Sequence, residues 1–470
     1  MYDSNLFNEQ NHDESEQGLN RLKRIHLTCW LFLLMLQVGF AECEAGDDRY
    51  DDPTIGLKVD LERVKSNGIR VISGNHLTLF TDLPRSKSID ELPAVFDAAV
   101  PQWSKFFLVP ENRIAGFSVV GFLIKDLRKF RSSGLIPSKL PPFKNGYTFG
   151  KRSFWMYDQP SDFMRRQLLI HEGTHSFIFS LLGERVRPWL NEGLAELFGS
   201  HQWQENRLST AVRIDSREEA PFWGRTKVIR DHVDQFGHLS IQEILSYQSS
   251  AFLKVDSYGW AWALSSFLHS HPLYRERFGK LASSISNPED VNRQFASLFQ
   301  SDREELEEQW SAFVWDLDYG LDGEHSAIQY TPVQRKNETL PIIAANRSWQ
   351  SSGVSVVAGK TYWIRSKGRF VIRQTDDQNG KPVAWPCETN GITLEYYRGN
   401  PLGVLMANIR VEPHGDRSNR MDFGKQMKIG LSKTFKPTES GMLFFRVNEF
   451  PGDYGDNSGE LLVSVVEKEE

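Results

Sequence analysis

The chain has 470 residues, more than one ordinary hydrophobic core accommodates, so two domains are expected. With 40% hydrophobic and 25% charged residues it has a globular composition, which excludes a fibrous or wholly disordered chain. The net charge of −6, without a basic patch interleaved with aromatics, speaks against a nucleic-acid binder. The first segment, 1–41, reads as an export signal: Arg21, Lys23 and Arg24 precede an apolar run from Leu27 to Val38 and the small residues ending at Ala41. The run is too short for a comfortable membrane span, so no stable span is expected after cleavage; an uncleaved anchor is the alternative. The expected location is therefore secreted or periplasmic. Cys29 falls within the signal, Cys43 follows Glu42 in a poor lipidation context, and Cys43 with Cys387 are too few for a disulfide framework.

Alternation over Gly68–Ser73 predicts a strand, and Leu92, Val95, Phe96 and Ala99 give Ser88–Phe107 helical spacing. Phe117–Ile124 reads as a buried strand, Ser138–Gly146 as a loop, and Tyr147–Tyr157 as one edge strand. Ser161 is the expected N-cap of a long helix. That helix carries His171-Glu172-Gly173-Thr174-His175. Residues four apart share a helix face, so His171 and His175 can offer two imidazole nitrogens to one ion, with Glu172 beside them as a general base. A catalytic zinc takes three protein ligands and keeps one open position. Gly183 as a C-cap and Pro188 in a first turn would fold a second helix back, bringing Glu192 in as the third ligand. Glu196, one turn on, is placed to take the other N–H of His171.

His-Glu-x-x-His followed by Trp189-Leu190-Asn191-Glu192-Gly193-Leu194-Ala195-Glu196 resembles the gluzincins, metallopeptidases whose third zinc ligand is a glutamate, and most closely their bacterial "peptidase MA-like" branch. The resemblance implies a zincin fold, with His171, His175 and Glu192 on zinc and Glu172 as base. The second histidine and the glutamate stand closer than in the one-zinc aminopeptidases, which argues against a standard aminopeptidase. Tyr258, opening a helix that runs through Trp260–His271, resembles the gluzincin tyrosine that hydrogen-bonds the tetrahedral intermediate; a core tyrosine is the alternative. A strand at a zincin cleft's rim pairs with extended substrate by strand addition, a role expected here of Tyr147–Tyr157. Glu218–Gly237 reads as polar and partly loop, while Ile241–Tyr247 and Asn287–Leu317 read as helical. His232, His238, His269 and His271 read as surface or core residues.

A polar linker is expected at 322–335, and Asn337 and Asn346 match weak glycosylation patterns. From Trp349 the period becomes two, with strands at 354–357, 361–365, 369–373, 442–447 and 461–466, as in an antiparallel sandwich. The stretch Asn448–Gly459 is a glycine-bent loop of oxygen donors, suited to calcium. It resembles the calcium loop of the galactophilic PA-IL-like bacterial lectins, with Pro401–Leu405 similar to their preceding strand. The resemblance implies Glu449, Asp453 (by its carbonyl), Asp456 and Asn457 as calcium ligands, a carbonyl near Ile372 completing the shell. The ion-free alternative is a hairpin turn rich in Asp and Asn.

The expectation is thus an α+β zincin-like metallopeptidase domain at 50–321, with a mixed sheet and a helical half, followed by an all-β antiparallel sandwich at 336–470. Its cofactors would be zinc and calcium, and its partners a peptide or protein substrate and a galactose-type carbohydrate. Residues 333–470 are expected to fold alone. The rival reading is a non-catalytic carbohydrate-binding or envelope-interaction protein with a degenerate zincin domain; the intact Glu172 favours the enzyme.

Overall fold

The computed structural model describes residues 50–285, 290–330, 335–336, 340–412 and 420–468. The expected export signal, with Cys29 and Cys43, and the acceptor Asn337 lie outside the described residues. Among the described residues no helix is long and apolar enough to cross a membrane.

The first sheet contains β1 (Arg70–Ser73), β2 (Leu77–Thr81), β3 (Val119–Ile124), β4 (Gly146–Phe149) and β5 (Ser153–Tyr157), in the order β1-β2-β3-β5-β4. β2, β3 and β5 run parallel, and β1 and β4 are antiparallel edges. Every residue of β3 is buried because the sheet has a core on each face. Val119 and Leu123 enter the core shared with the helices, while Val120, Phe122 and Ile124 enter the opposite one, following the two-residue period of a strand. The expected single strand over Tyr147–Tyr157 is a hairpin instead. Gly150, at φ +74°, turns the chain, so β4 forms the edge and β5 lies inside it.

The helices that matter for the site are α1 (Leu92–Phe107), α2 (Asp162–Leu181), α3 (Pro188–Gly199), α4 (Arg225–Phe236), α5 (Val255–Ser270) and α6 (Arg303–Asp316). Ser161 caps α2 as expected, its hydroxyl accepting the Met164 N–H at 3.1 Å. Residues 167–178 of α2 are all buried, so this helix is packed on every side. A Cβ on Gly173 would come within 2.6 Å of Phe96 and 2.8 Å of Trp103, so the glycine inside the histidine motif sets how closely α2 approaches α1. Leu182 ends α2, Gly183 follows at φ +127°, and Pro188 opens α3. A Cβ on Gly193 would collide with Ser265 Oγ and the Ala261 carbonyl, so α3 lies directly against α5. Glu218–Gly237 is partly loop as expected: 218–224 are turn or loop, and most of the rest is helix α4, which starts after Gly224 in the left-handed region at φ +65°.

The chain from 340 onward is β-rich. Its strands of four or more residues are β6 (Leu340–Ala344), β7 (Gln350–Val356), β8 (Tyr362–Lys367), β9 (Arg369–Asp376), β10 (Pro382–Glu388), β11 (Asn390–Tyr397), β12 (Asn400–Val411), β13 (Ser432–Phe435), β14 (Gly441–Val447) and β15 (Glu460–Glu467). One antiparallel sheet has the order β7-β14-β12-β11 and another β13-β8-β15-β6, with Arg335–Lys336 beyond β6; β9 and β10 form a hairpin. Ile364 and Val463 of one sheet share a core with Leu405, Leu443 and Phe445 of the other.

Polar side chains tie α6 to this β-rich region. Arg446 of β14 is buried and donates to Asp316 of α6 at 2.7 Å, and Arg410 of β12 donates to Glu308 of α6 at 2.8 Å. The buried charge of Arg446 thus has its carboxylate partner outside the segment expected to fold alone.

Candidate metal centre and cleft

α2 and α3 bring three donors together as the spacing predicts. His171 Nε2 and His175 Nε2 are 3.2 Å apart, and each stands 3.4 Å from Glu192 Oε2. A tetrahedral ion about 2.0–2.1 Å from each ligand holds its ligands about 3.3–3.4 Å apart, so this trio has the spacing of a metal-ligand set. It can hold a metal ion, and among the described residues it is the one such group of His, Cys, Asp or Glu side chains. Burial disfavours a charged His171, yet Glu192 and Glu196 outweigh it and raise the imidazole to about 10. Burial likewise opposes ionisation of Glu192, and the two imidazoles nevertheless hold it well below the usual carboxylate range. Two imidazoles and a carboxylate facing one point form a donor set for a divalent cation.

Glu172 is buried beside the trio, and burial raises its carboxyl above the ordinary value against the pull of the two imidazoles. Its Oε2 accepts the Thr148 hydroxyl of β4 at 2.7 Å. Glu196 Oε1 stands 3.4 Å from His171 Nδ1, which has no hydrogen-bond partner, so the carboxylate is near the expected N–H without bonding it. Its main partner was not foreseen. Arg225, the first residue of α4, grips Glu196 at 2.9 and 2.8 Å through Nε and Nη2. Burial works against Glu196 ionising, but Arg225 and His171 bring its carboxyl down to about 2. The sequence signal for Arg225 is faint: a glycine able to end a loop, followed by a polar run in which only Thr226 and Ile229 are buried.

Tyr258 opens toward this cluster from the first turns of α5. Its ring centroid is 6.3 Å from that of His171, and the Arg225 guanidinium lies 5.8 Å from the ring. Burial, then the carboxylates of Glu192, Glu172 and Glu196, push its phenol upward, so the hydroxyl keeps its proton.

The residues of the expected calcium loop gather at the β9 end of the β-rich region. Val371 and Ser458 exchange backbone hydrogen bonds at 2.8 and 3.1 Å, setting the buried Ile372 beside the loop. Asp456 Oδ2 accepts the Gln374 N–H at 3.0 Å, while Asp456 Oδ1 and Asn457 Oδ1 are buried without a hydrogen-bond partner. Glu449 is buried, its Oε2 lies 3.5 Å from Asn457 Nδ2, and burial raises its carboxyl to about 8. The Asp453 carboxylate lies 3.5 Å from Arg373.

No family model matches this chain. No curated protein matches it either. Among solved structures, one described as "EclA N-terminal domain; PllA-like lectin" is similar at 19% identity over 28% of this chain and 96% of its own, with a TM-score of 0.20.

Proposed function

We propose that the chain is an exported zinc metallopeptidase of the gluzincin kind, with the zincin domain at 50–321. One observation carries this reading: His171, His175 and Glu192 lie 3.2–3.4 Å apart, with the buried Glu172 carboxylate alongside. Two imidazoles and a carboxylate suit zinc, which takes nitrogen and oxygen donors and keeps a fourth position open in catalytic sites. When bound, zinc supplies Lewis acidity toward a water and the scissile carbonyl. The chain's own residues do the rest. Glu172 accepts the proton of the attacking water and passes it to the leaving amine. Glu196, anchored by Arg225, keeps His171 turned toward the site. Tyr258 stays protonated and can donate to the developing oxyanion. β4, an edge of its sheet, offers backbone groups to an extended peptide.

The experiment is elemental analysis of the full chain together with turnover of casein. The wild type should hold one zinc and cleave casein, lose activity when zinc is stripped, and regain it when zinc returns. Alanine in place of Glu192 should abolish stoichiometric zinc, because three protein ligands are the minimum for such a site. Full zinc in that variant overturns the ligand set.

The orphaned oxygens Asp456 Oδ1 and Asn457 Oδ1 favour a second reading for the β-rich region. We propose that it is a sandwich of the PA-IL-like kind whose loop binds calcium through Glu449, Asp456, Asn457 and the carbonyls of Asp453 and Ile372. An open calcium shell can then take vicinal hydroxyls of a galactose-type sugar. Calcium at about 100 times its Kd should stabilise the folded chain by about 2.7 kcal/mol. A thermal melt with and without calcium checks this, with Asp456→Ala as the control that should not respond. No shift in the wild type refutes the ion site. A shift without retention on immobilised galactose leaves the ion as a structural clip.

A further inference from the structure

The strand β4 meets the base more closely than edge pairing requires. Thr148 and Gly146, two residues apart, share the strand face turned toward α2, while Tyr147 points the other way and is 38% exposed. The Thr148 hydroxyl lies 2.7 Å from Glu172 Oε2 and 3.0 Å from the Glu172 backbone carbonyl. It has one proton to give. The backbone carbonyl is already served by the Ser176 hydroxyl at 3.0 Å. The buried carboxylate is the stronger acceptor, so the Thr148 proton goes to Oε2. Gly146 bounds the other oxygen: a Cβ there would collide with Glu172 Oε1 and come within 3.0 Å of Glu172 Cδ.

We propose that Thr148 and Gly146 are positioning residues for the base: Thr148 fixes Oε2, and Gly146 leaves the space that Oε1 needs as the proton-accepting oxygen. The inference rests on the metallopeptidase reading and adds to it. A carboxylate free to rotate would present either oxygen, or neither, to the water. A carboxylate tied at one oxygen presents the other. Because β4 is also the free edge of the sheet, a peptide pairing there lies on the same strand that aligns the base. Substrate seating and base alignment are therefore functions of one element.

The test uses the full chain, loaded with zinc for kinetics and with cobalt for spectroscopy. Thr148→Val removes the donor at nearly constant shape, and Thr148→Ser retains it. The valine variant should keep its metal and its KM and lose kcat by roughly 10²-fold, the scale of a misplaced catalytic group. Serine should recover most of that loss. Gly146→Ala should keep the metal and lower kcat as well. A second measurement needs no turnover. Acetohydroxamate, whose acidic proton bonds a carboxylate next to the metal, should bind cobalt-loaded Thr148→Val about tenfold more weakly than wild type, on the scale of one charge-assisted hydrogen bond, and serine should restore it. Wild-type kcat and hydroxamate affinity in the valine variant overturn the proposal. So does an equal loss in the valine and serine variants, or loss of metal from the valine variant, either of which marks strand packing instead. If the wild type cleaves no peptide while hydroxamate affinity still follows residue 148, the peptidase reading falls and the positioning role stands.

Discussion

On the proposed metallopeptidase reading, glutamine in place of Glu172 should leave one zinc per chain and remove casein hydrolysis, with kcat lower by about 10²- to 10⁴-fold, the contribution of a positioned general base. The two side chains have the same length and shape, so the packing around this buried position is kept. The amide oxygen still accepts the Thr148 hydroxyl, now held at 2.7 Å. What changes is basicity: an amide takes no proton from water at neutral pH, so the nucleophile is not formed. The donor atoms of His171, His175 and Glu192 are untouched, so a metal held by them should be retained. Elemental analysis and casein turnover on the same preparation separate the two effects. Turnover at the wild-type rate with full zinc would remove Glu172 from its role. Loss of zinc with loss of turnover would instead make Glu172 part of the ion's hold.

The centre of the fold was legible because its signals are local. Ser161, Gly183 and Pro188 bracket two helices, and the spacing of His171, His175, Glu192 and Glu196 follows from the helical period. The structure brings these four together where that period puts them. What stayed hidden depends on neighbours distant in the chain. Helix α4 buries only Thr226 and Ile229, too few apolar positions to display a period, and the meaning of Arg225 lies in Glu196, on another helix. Thr148 could be read as a strand residue, but its partner Glu172 is fixed by how β4 crosses α2. The strands β10 and β11 escaped for a different reason. Most of their residues are exposed or half-buried, so neither displays the apolar alternation that marks a strand with one buried face.

The β-rich region also depends on a charge that local pattern does not reveal. Asp316→Ala should destabilise the full chain by about 3–5 kcal/mol, the cost of leaving one member of a buried ion pair alone. Arg446 is among the largest fully buried side chains. Its Nη1 donates to Asp316 Oδ2 at 2.7 Å, its Nη2 reaches Gln426 Oε1 at 3.1 Å, and its guanidinium lies 4.6 Å from the Trp349 ring centroid. Gln426 and Trp349 are neutral, so Asp316 carries the compensation. Burial lowers the Arg446 pKa but Asp316 raises it further, and the group stays charged. A fragment beginning at residue 333 would lack Asp316, the carboxylate partner of Arg446, so it should unfold more readily than one beginning before α6. Urea unfolding of the full chain, followed by tryptophan fluorescence, measures the single variant. The double variant Asp316→Leu, Arg446→Met decides the cause. Replacing a buried pair with apolar side chains of similar volume is often neutral, so the double variant should return to within about 1 kcal/mol of wild type. If it is as unstable as Asp316→Ala, the loss comes from packing at the seam rather than from the stranded charge of Arg446.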